Sequence, residues 1–342
     1  MRDAMRDAAR NVMRDRRGKA PYCGRRVRLL AIAAAIAIYP VLSGFDFSHH
    51  VVPLSEIRDG GPAKDAIPAV REPQFVKPAD ATFLEPNDRV IGVVVGGRAR
   101  AYPIKILNWH EVVDDSIAGT PLAVTFCPLV QGAAVYIREA GGKTLILGVS
   151  GKLYQSNLVL YDEGTQSLWS QVEGQALAGP MAGQKLAAIP SMIMTWKAWQ
   201  KKHPATDVLN VNTGYTRDYG IDPYWGYEHG DQVVSPVTHL DERLSAHELV
   251  LGVSAGGRDE AFPLSKLGEA ASPLRVQLGG ADVTVTYDAD SGAAAASVSG
   301  KRVPVYNGYW FAWAAFHPKT TIWSAAATAA KTTNNTAPAA GQ

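Results

Sequence analysis

Three residues in one short stretch of the sequence have side chains suited to catalysis or metal binding: His110, Glu111 and Cys127. An imidazole, a carboxylate and a thiolate can hold a zinc or copper ion with one open coordination position. The same residues also suit covalent catalysis, with Cys127 as nucleophile, His110 as base, and Glu111 or Asp114 orienting the imidazole. We therefore expect a metal-binding or thiol-based active site here.

The spacing of these residues excludes several well-defined motifs. A zinc-protease helix needs a second histidine four residues after His110, where this chain has Asp114. A nucleophile elbow needs a glycine two residues after Ser150, but Lys152 stands there. A Walker loop would need a glycine in place of Ile146. The residues therefore indicate a site without indicating a reaction class.

Two predicted β-hairpins must position this site. The first comprises strands over 90–95 and 98–103 around a Gly-Gly turn, and the second pairs strands over 121–126 and 133–137. The histidine, the glutamate and the cysteine fall in the connections, which hold polar groups at the surface of a rigid scaffold. Turn residues at 114–115 and 118–120 can reverse the chain, so we expect His110, Glu111 and Cys127 to converge in space.

An internal repeat dominates the rest of the chain. Gly-Gly-Arg at 96–98 recurs at 256–258, an offset of 160, whereas Trp199 recurs as Trp313, an offset of 114. The second copy therefore lacks about 46 residues. We predict a mainly β (α+β) fold of two pseudo-symmetric repeats, 89–209 and 249–323, with a few short helices that include 192–202, capped by Ser191, and 307–316.

The polar residues of the first copy are missing from the second. Positions equivalent to 108–111 are occupied by Gly-Glu-Ala-Ala at 268–271, and the place of Cys127 is taken by Tyr287 or Asp288. A requirement of the scaffold should persist in both copies, whereas chemistry needs only one. The residues absent from the second copy correspond to the region around 147–183, and this insertion is expected to wall the site. Its first part, 147–169, alternates as β-structure does. The expected binding residues are Asn108, Ser150, Tyr154, Ser156 and Gln171.

The N-terminal region has the features of a membrane anchor. Residues 1–28 carry ten Arg or Lys and three Asp, and residues 29–45 form an apolar run of 17 without a charge. By the positive-inside rule, 1–28 lies in the cytoplasm and the rest lies outside it. We predict a single-pass protein of the inner or plasma membrane, with a 46–71 linker, a periplasmic or extracellular domain over 72–323 and a disordered tail over 324–342.

The charge distribution excludes one class of partner. Because the net charge is +2 and the basic segment contributes about +7, the remainder carries about −5, which argues against nucleic-acid binding. An aromatic loop over 213–227, TGYTRDYGIDPYWGY, could serve recognition instead. The alternative to an active site is therefore a non-catalytic extracytoplasmic module that uses this loop to bind a small molecule, a sugar or a peptide.

Several motifs together resemble one protein family. They are ARAYPIKILNWHEVVDD, CPL, VSGKLYQSNLVLYD, SLWSQ, GPMAG and RDYGIDPYWGY, and they span roughly residues 59–323. This set is similar to the prokaryotic family named domain of unknown function 3179, for which the resemblance implies no established reaction. The family motif Cys-Pro-Leu-Cys-Gly is here Cys127-Pro128-Leu129-Val130-Gln131, so its second thiol is missing. A Cys-x-x-Cys redox cycle within this motif is thereby excluded.

Overall fold

The computed structural model describes residues 44–45, 47–230 and 232–325. The predicted basic segment 1–28, anchor 29–45 and tail 324–342 lie almost entirely outside the described residues. Across the described ranges, no helix combines the length and the apolarity needed to cross a membrane. The membrane anchor therefore stays a prediction.

The described chain is mainly β with a few short helices, which confirms that part of the sequence prediction. Five sheets form a propeller-like arrangement, which the sequence analysis did not predict. We name these sheets blades A to E. A two-stranded ribbon accompanies them, made of β8 (Glu139–Ala140) and β9 (Lys143–Thr144).

Blades A and B carry the candidate site. Blade A contains, in spatial order, β15 (Ser191–Thr195), β3 (Arg89–Val95), β4 (Arg98–Pro103), β16 (Asp207–Leu209) and β2 (Phe75–Val76). Blade B contains β14 (Ala187–Ala188), β7 (Gly132–Ile137), β6 (Thr120–Cys127) and β5 (Val112–Ile117). The two predicted hairpins are β3–β4 and β6–β7, and both pair in antiparallel register.

The other three blades come from the inserted stretch and from the second copy. Blade C contains β1 (Ile57–Asp59), β10 (Leu147–Tyr154), β11 (Asn157–Asp162), β12 (Leu168–Ser170) and β13 (Ala176–Ala178). Blade D contains β23 (Tyr306–Tyr309), β17 (Leu249–Ala255), β18 (Arg258–Pro263) and β24 (Thr321–Ile322). Blade E contains β19 (Leu274–Leu278), β20 (Ala281–Asp288), β21 (Ala293–Val298) and β22 (Lys301–Val303).

Five α-helices are present in the described residues, and all are short: α1 (Ile104–His110), α2 (Trp196–Lys202), α3 (Trp225–Glu228), α4 (Leu264–Leu267) and α5 (Trp310–Phe316). Two 3₁₀ turns cover Leu54–Glu56 and Pro78–Asp80. The predicted helices 192–202 and 307–316 were too long, and Ser191 is not a helix cap. Their first residues pair as strands β15 and β23 with β3 and β17, so the helices begin at Trp196 and Trp310.

Blades A and D share one construction. In each blade, the strand that follows the helix pairs in parallel with the second strand of the hairpin: β16 with β4 in blade A, and β24 with β18 in blade D. Trp199 lies against Gly92, and Trp313 lies against Gly252, so close that an added Cβ would come within 2.1 and 2.3 Å of the rings. A side chain at either glycine would displace a buried tryptophan. The recurring glycine and tryptophan therefore reflect the same packing requirement in both copies.

Blade C accounts for the residues that the second copy lacks. Its strands β10 to β13 lie between β7 and β15, a place where the second copy runs from β21 through β22 to β23. The stretch expected to be a linker also belongs to the domain: β1 pairs with β10, and Val70 pairs with Val113. Backbone hydrogen bonding thus holds residues 57–70 to the blades, a contact that their weak periodicity did not indicate.

Candidate functional site

Helix α1 delivers the polar residues of the first copy to the end of blade B. Its residues Ile106 and Leu107 are fully buried, which fixes the orientation of the last turn. The helix ends at Glu111, whose φ of 59° lies in the left-handed region and costs a non-glycine residue roughly 1–2 kcal/mol. The amide of Phe126 then donates to the Glu111 carbonyl at 2.8 Å. The helix end and the Cys127 end of β6 are therefore adjacent.

His110 is fully buried and fully engaged by hydrogen bonds. Its Nδ1 lies 2.8 Å from the Pro68 carbonyl, which can only accept, so Nδ1 carries the proton. Its Nε2 therefore accepts from the Tyr219 hydroxyl at 2.7 Å. Burial, followed by the charge of Arg217, lowers the pKa of His110 to about 4 despite the Pro68 bond. The neutral imidazole therefore links Pro68 to Tyr219, and its hydrogen-bond partners do not include Cys127.

Glu111 is a buried carboxyl next to a thiol and a phenol. The hydroxyl of Tyr224 donates to Glu111 Oε1 at 3.1 Å. Burial raises the pKa of Glu111 to about 7, and the Tyr224 hydrogen bond only partly opposes that effect. A carboxyl with such a pKa is present in both protonation states near neutral pH, as general acids and bases require.

Cys127 is buried beside Glu111 and stays protonated. Burial, followed by the charge of Glu111, raises the pKa of the Cys127 thiol to about 12. Its sulfur accepts a hydrogen bond from the Leu158 amide at 3.4 Å. An activated thiol needs a depressed pKa and a cationic neighbour, and this environment supplies the opposite. The geometry therefore gives no support to a nucleophilic thiolate.

Asn108 connects the helix to the aromatic loop and leaves one polar atom without a partner. Its Nδ2 donates to Asp222 Oδ1 at 3.0 Å, and that oxygen also accepts the Tyr224 amide at 2.8 Å. The Asn108 Oδ1 atom is buried and has no hydrogen-bond partner in the structure. Such an orphaned acceptor is costly unless a donor reaches it. Because Tyr224 also contacts Glu111, this acceptor belongs to the same polar cluster.

The turn after Cys127 is held by the same loop. The Tyr227 hydroxyl donates to the Leu129 carbonyl at 2.6 Å. The Gln131 side chain donates to Glu228 Oε1 at 2.6 Å and accepts from Arg89 Nη1 at 3.0 Å. Blade A, the turn and the end of the loop are therefore joined through one glutamine.

The aromatic loop thus covers both polar segments of the first copy. Each residue from Asn108 to Glu111 has a hydrogen-bond partner in the loop, and these partners are, in order, Asp222, the Ile221 carbonyl, Tyr219 and Tyr224. The Thr213 hydroxyl is a second partner of His110, 3.3 Å from its Nε2. On its outer side the loop exposes large apolar residues: Tyr215, Ile221 and Trp225. The aromatic loop therefore lies over a buried polar cluster as a closed lid would.

The comparison with family models agrees with this arrangement of motifs. The model described as protein of unknown function (DUF3179) matches residues 64–303. This range includes blades A, B and E, the aromatic loop, blade C without β1, and strands β17 and β18 of blade D. This chain belongs to the DUF3179 family. No curated protein and no solved structure matches it.

The departure of this DUF3179 chain from its family motif has a structural consequence. Val130, in place of the second thiol, is fully buried, and its carbonyl accepts the Tyr309 amide at 2.8 Å. Gln131 replaces the motif glycine and keeps a positive φ of 50°, the conformation that glycine adopts at least cost. A glycine would therefore fit this backbone without strain, and Gln131 adds the contact to Glu228.

The polar residues of blade C lie elsewhere. Ser150 donates to the Val159 carbonyl across the bulge between β10 and β11, and Ser156 accepts the Ser235 amide. The Tyr154 ring packs edge-on against Phe316. None of these hydrogen bonds or ring contacts involves His110 or Glu111.

Of the binding residues expected between 150 and 171, Gln171 is the one with contacts to the segment around Cys127. Its side chain donates to Thr125 Oγ1 and to the Gly132 carbonyl, and it accepts from Asn157. Gly132 is the strand partner of Cys127. Gln171 therefore forms hydrogen bonds with the end of blade B and not with the residues of helix α1.

Two expectations for the predicted site find no support in the geometry. Asp114 does not orient the His110 imidazole, since its Oδ2 accepts the Leu147 amide at 2.9 Å and the ring nitrogens of His110 have other partners. Burial raises the pKa of Asp114 to about 7, although Arg138 and the Leu147 amide act against that rise. Among the described residues, no group of three or more His, Cys, Asp or Glu is arranged to hold a metal ion, so zinc or copper ligation by His110, Glu111 and Cys127 is not supported.

Sequence reasoning missed the partners that the loop contributes. They are Tyr219, Asp222, Tyr224, Tyr227 and Glu228. The signal that could have identified them is the concentration of Tyr and Asp in RDYGIDPYWGY, since buried hydroxyls and carboxylates require partners of their own. Their pairing with positions about a hundred residues earlier follows only from the tertiary structure.

Proposed function

We propose that this protein is a membrane-anchored extracytoplasmic enzyme that binds a small polar molecule beneath the aromatic loop and transfers a proton through Glu111. The observation that carries the proposal is the buried Glu111 carboxyl, hydrogen-bonded to Tyr224 and adjacent to the protonated Cys127. Near neutral pH this carboxyl can both donate and accept a proton.

The polar cluster also indicates what the ligand must offer. The Asn108 Oδ1 atom is a buried acceptor without a partner, so a bound molecule that donates a hydrogen bond would satisfy it. Opening of the loop would admit the molecule, and its closure would exclude water. Cys127 contributes an uncharged neighbour that offers the carboxylate no positive charge, and His110 holds the loop through Tyr219.

The test is a comparison of small molecules retained by the protein. Full-length wild-type protein and the Glu111→Gln and Asn108→Ala variants would be incubated with a cell extract, washed and denatured, and the released molecules identified by mass spectrometry. We expect one compound to be retained by the wild type, converted more slowly by Glu111→Gln, and lost in Asn108→Ala. Equal conversion by wild type and Glu111→Gln would contradict the role of the carboxyl.

A second candidate function rests on the outer side of the loop. Trp225 is 63% exposed and Ile221 is 58% exposed, which is unusual for residues of their size. A non-catalytic module that recognises a sugar or a peptide on this surface would use those side chains. Trp225→Ala would then abolish ligand binding while Asn108→Ala left it unchanged, whereas the enzyme proposal expects binding to be lost in Asn108→Ala.

A further inference from the structure

A cavity of about 280 Å³ lies where the two copies meet. One wall comes from β7 and the segment that leads into β15, and the other comes from β17, β23 and helix α5 with its C-terminal residue. Its volume is near the lower limit of small-molecule pockets, which run from about 300 to 1,000 Å³. The aromatic loop, residues 108–111 and Cys127 do not line this cavity, which shares only Gly132 and Gln171 with the segment around Cys127 described above.

One part of the cavity is apolar. Side chains from both copies contribute to it: Val135, Val172, Ile189, Val305 and Trp313. The Trp313 indole is held in place, because its Nε1 donates to Thr320 Oγ1 at 2.8 Å. This fixed surface would accept an aliphatic group of modest size without rearranging.

The other part carries a chain of ionisable groups that crosses from one copy to the other. His317 Nε2 lies 3.5 Å from Glu173 Oε1, and His317 Nδ1 lies 3.4 Å from Asp259 Oδ1. Lys185 Nζ lies 3.5 Å from Glu173 Oε2. All three separations exceed the 2.7–2.9 Å typical of charge-assisted hydrogen bonds. Glu173, Lys185 and His317, which line the cavity, therefore retain the capacity to bind a ligand.

The equivalent residue of the first copy lacks this environment. His203, like His317, ends a helix and lies over a tryptophan, with ring centroids 4.1 and 3.7 Å apart in the two pairs. Burial lowers the pKa of His203, and the positive charges of Lys202 and Arg302 lower it further. Carboxylate partners are thus a feature of the cavity and not of the repeated helix end.

We propose that this cavity binds a small zwitterionic ligand of the class of apolar α-amino acids. The ligand ammonium would pair with Glu173, its carboxylate with Lys185 and His317, and its side chain would pack on Trp313. A ligand with one charge would leave the opposite group of the cavity facing an uncharged or like-charged atom, so both charges are needed for tight binding. This inference goes beyond the enzymatic function proposed above and does not depend on it.

The first test compares three probes on full-length wild-type protein by isothermal titration calorimetry. L-leucine carries both charges, N-acetyl-leucine lacks the ammonium, and leucinamide lacks the carboxylate. We expect leucine to bind at least about tenfold more tightly than either blocked probe, since each loses one charge-assisted contact. An absence of leucine binding, or equal binding of the three probes, would overturn the proposal.

The second test uses the internal duplication as a control. His317→Gln and Glu173→Gln should each weaken leucine binding at least about tenfold, whereas His203→Gln, at the matching helix end, should leave it unchanged. Melting temperatures would establish that each variant folds. If a variant does not fold, the three-probe comparison on the wild type still decides. Equal weakening by His203→Gln and His317→Gln would show that the helix end, and not the cavity, is responsible.

Discussion

At the scale of single residues, the central feature is a carboxyl whose pKa is raised to near neutral pH by burial. Glu111 is covered by Tyr224 and lies beside Cys127, and neither neighbour offers a positive charge. Burial therefore dominates its protonation. His110, the obvious histidine of the sequence motif, has instead a positioning role between Pro68 and Tyr219.

The raised pKa of Glu111 has a consequence for stability. Because the folded pKa of about 7 exceeds the ordinary value of 4.5, the folded state binds the proton more tightly than the unfolded state. The contribution of protonated Glu111 to the free energy of unfolding is present below pH 4.5 and is lost as pH rises through 7. This change is on the order of 3 kcal/mol. Glu111→Gln should therefore reduce the dependence of the urea unfolding free energy on pH between 5 and 8, roughly the range between the two pKa values. The part that remains is expected from Asp114, whose pKa burial also raises to about 7.

The matched control is Glu139→Gln, which alters an exposed carboxyl on β8. That variant should keep the wild-type pH dependence. If Glu111→Gln and the wild type lost stability in parallel from pH 5 to 8, roughly the range in which Glu111 titrates, the buried carboxyl would not be the titrating group.

The protonation of Cys127 leads to a second expectation at this scale. A buried thiol with a pKa near 12 has almost no thiolate at pH 8 and little contact with solvent, so it should react slowly with iodoacetamide. In a full-length Cys23→Ser variant, we expect alkylation of Cys127 at least about 100-fold slower in the native protein than in urea. Rapid native alkylation would restore the thiol-catalysis hypothesis.

At the scale of elements, the aromatic loop joins two segments that the sequence presents far apart. Its hydrogen bonds reach the end of α1 and the turn after β6. A β-hairpin scaffold and a loop that closes over it are a common way to combine rigidity with access. The loop is therefore the element whose opening should be separable from unfolding of the blades.

A conservative pair of variants can test this separation. Tyr224→Phe removes the hydroxyl that contacts Glu111, whereas Tyr215→Phe changes a tyrosine exposed on the same loop. By hydrogen exchange, Tyr224→Phe should raise exchange across 213–228 by roughly fivefold, the equivalent of about 1 kcal/mol for one lost hydrogen bond. Blade D should not change. Equal exchange in the two variants would mean that the Tyr224 contact does not hold the loop.

At the scale of the whole molecule, the sequence permitted some of these conclusions and not others. The hairpins and the repeat were predictable, because Gly-Gly turns and the Gly92 and Gly252 positions recur with their tryptophans. Helix α1 was not, because seven residues give too short a period to recognise. The orientation of the His110 side chain was not predictable either, since it depends on a hydrogen bond to Tyr219, which is 109 residues away.

The position of the domain relative to the membrane also belongs to this scale. The basic segment 1–28 and the apolar run 29–45 predict that everything after residue 45 lies outside the cytoplasm. Fusions after Trp323 should therefore give alkaline phosphatase activity, which requires export, and no fluorescence from a reporter that matures only in the cytoplasm. A variant with the arginines of 1–28 replaced by alanine should lose this strict orientation. Cytoplasmic fluorescence from the wild-type fusion would contradict the prediction.

The most direct measurement for the central claim is a titration of the Glu111 carboxyl itself. Carboxyl-¹³C-labelled glutamate would be incorporated into the wild type and into Glu111→Gln, and the resonance absent from the variant would be followed by NMR from pH 4 to 9, roughly two to three units on either side of the expected midpoint. We expect a midpoint near pH 7, because burial penalises the charged form. A midpoint near the ordinary value of 4.5 would show a solvated carboxylate and would contradict the proposed acid–base site.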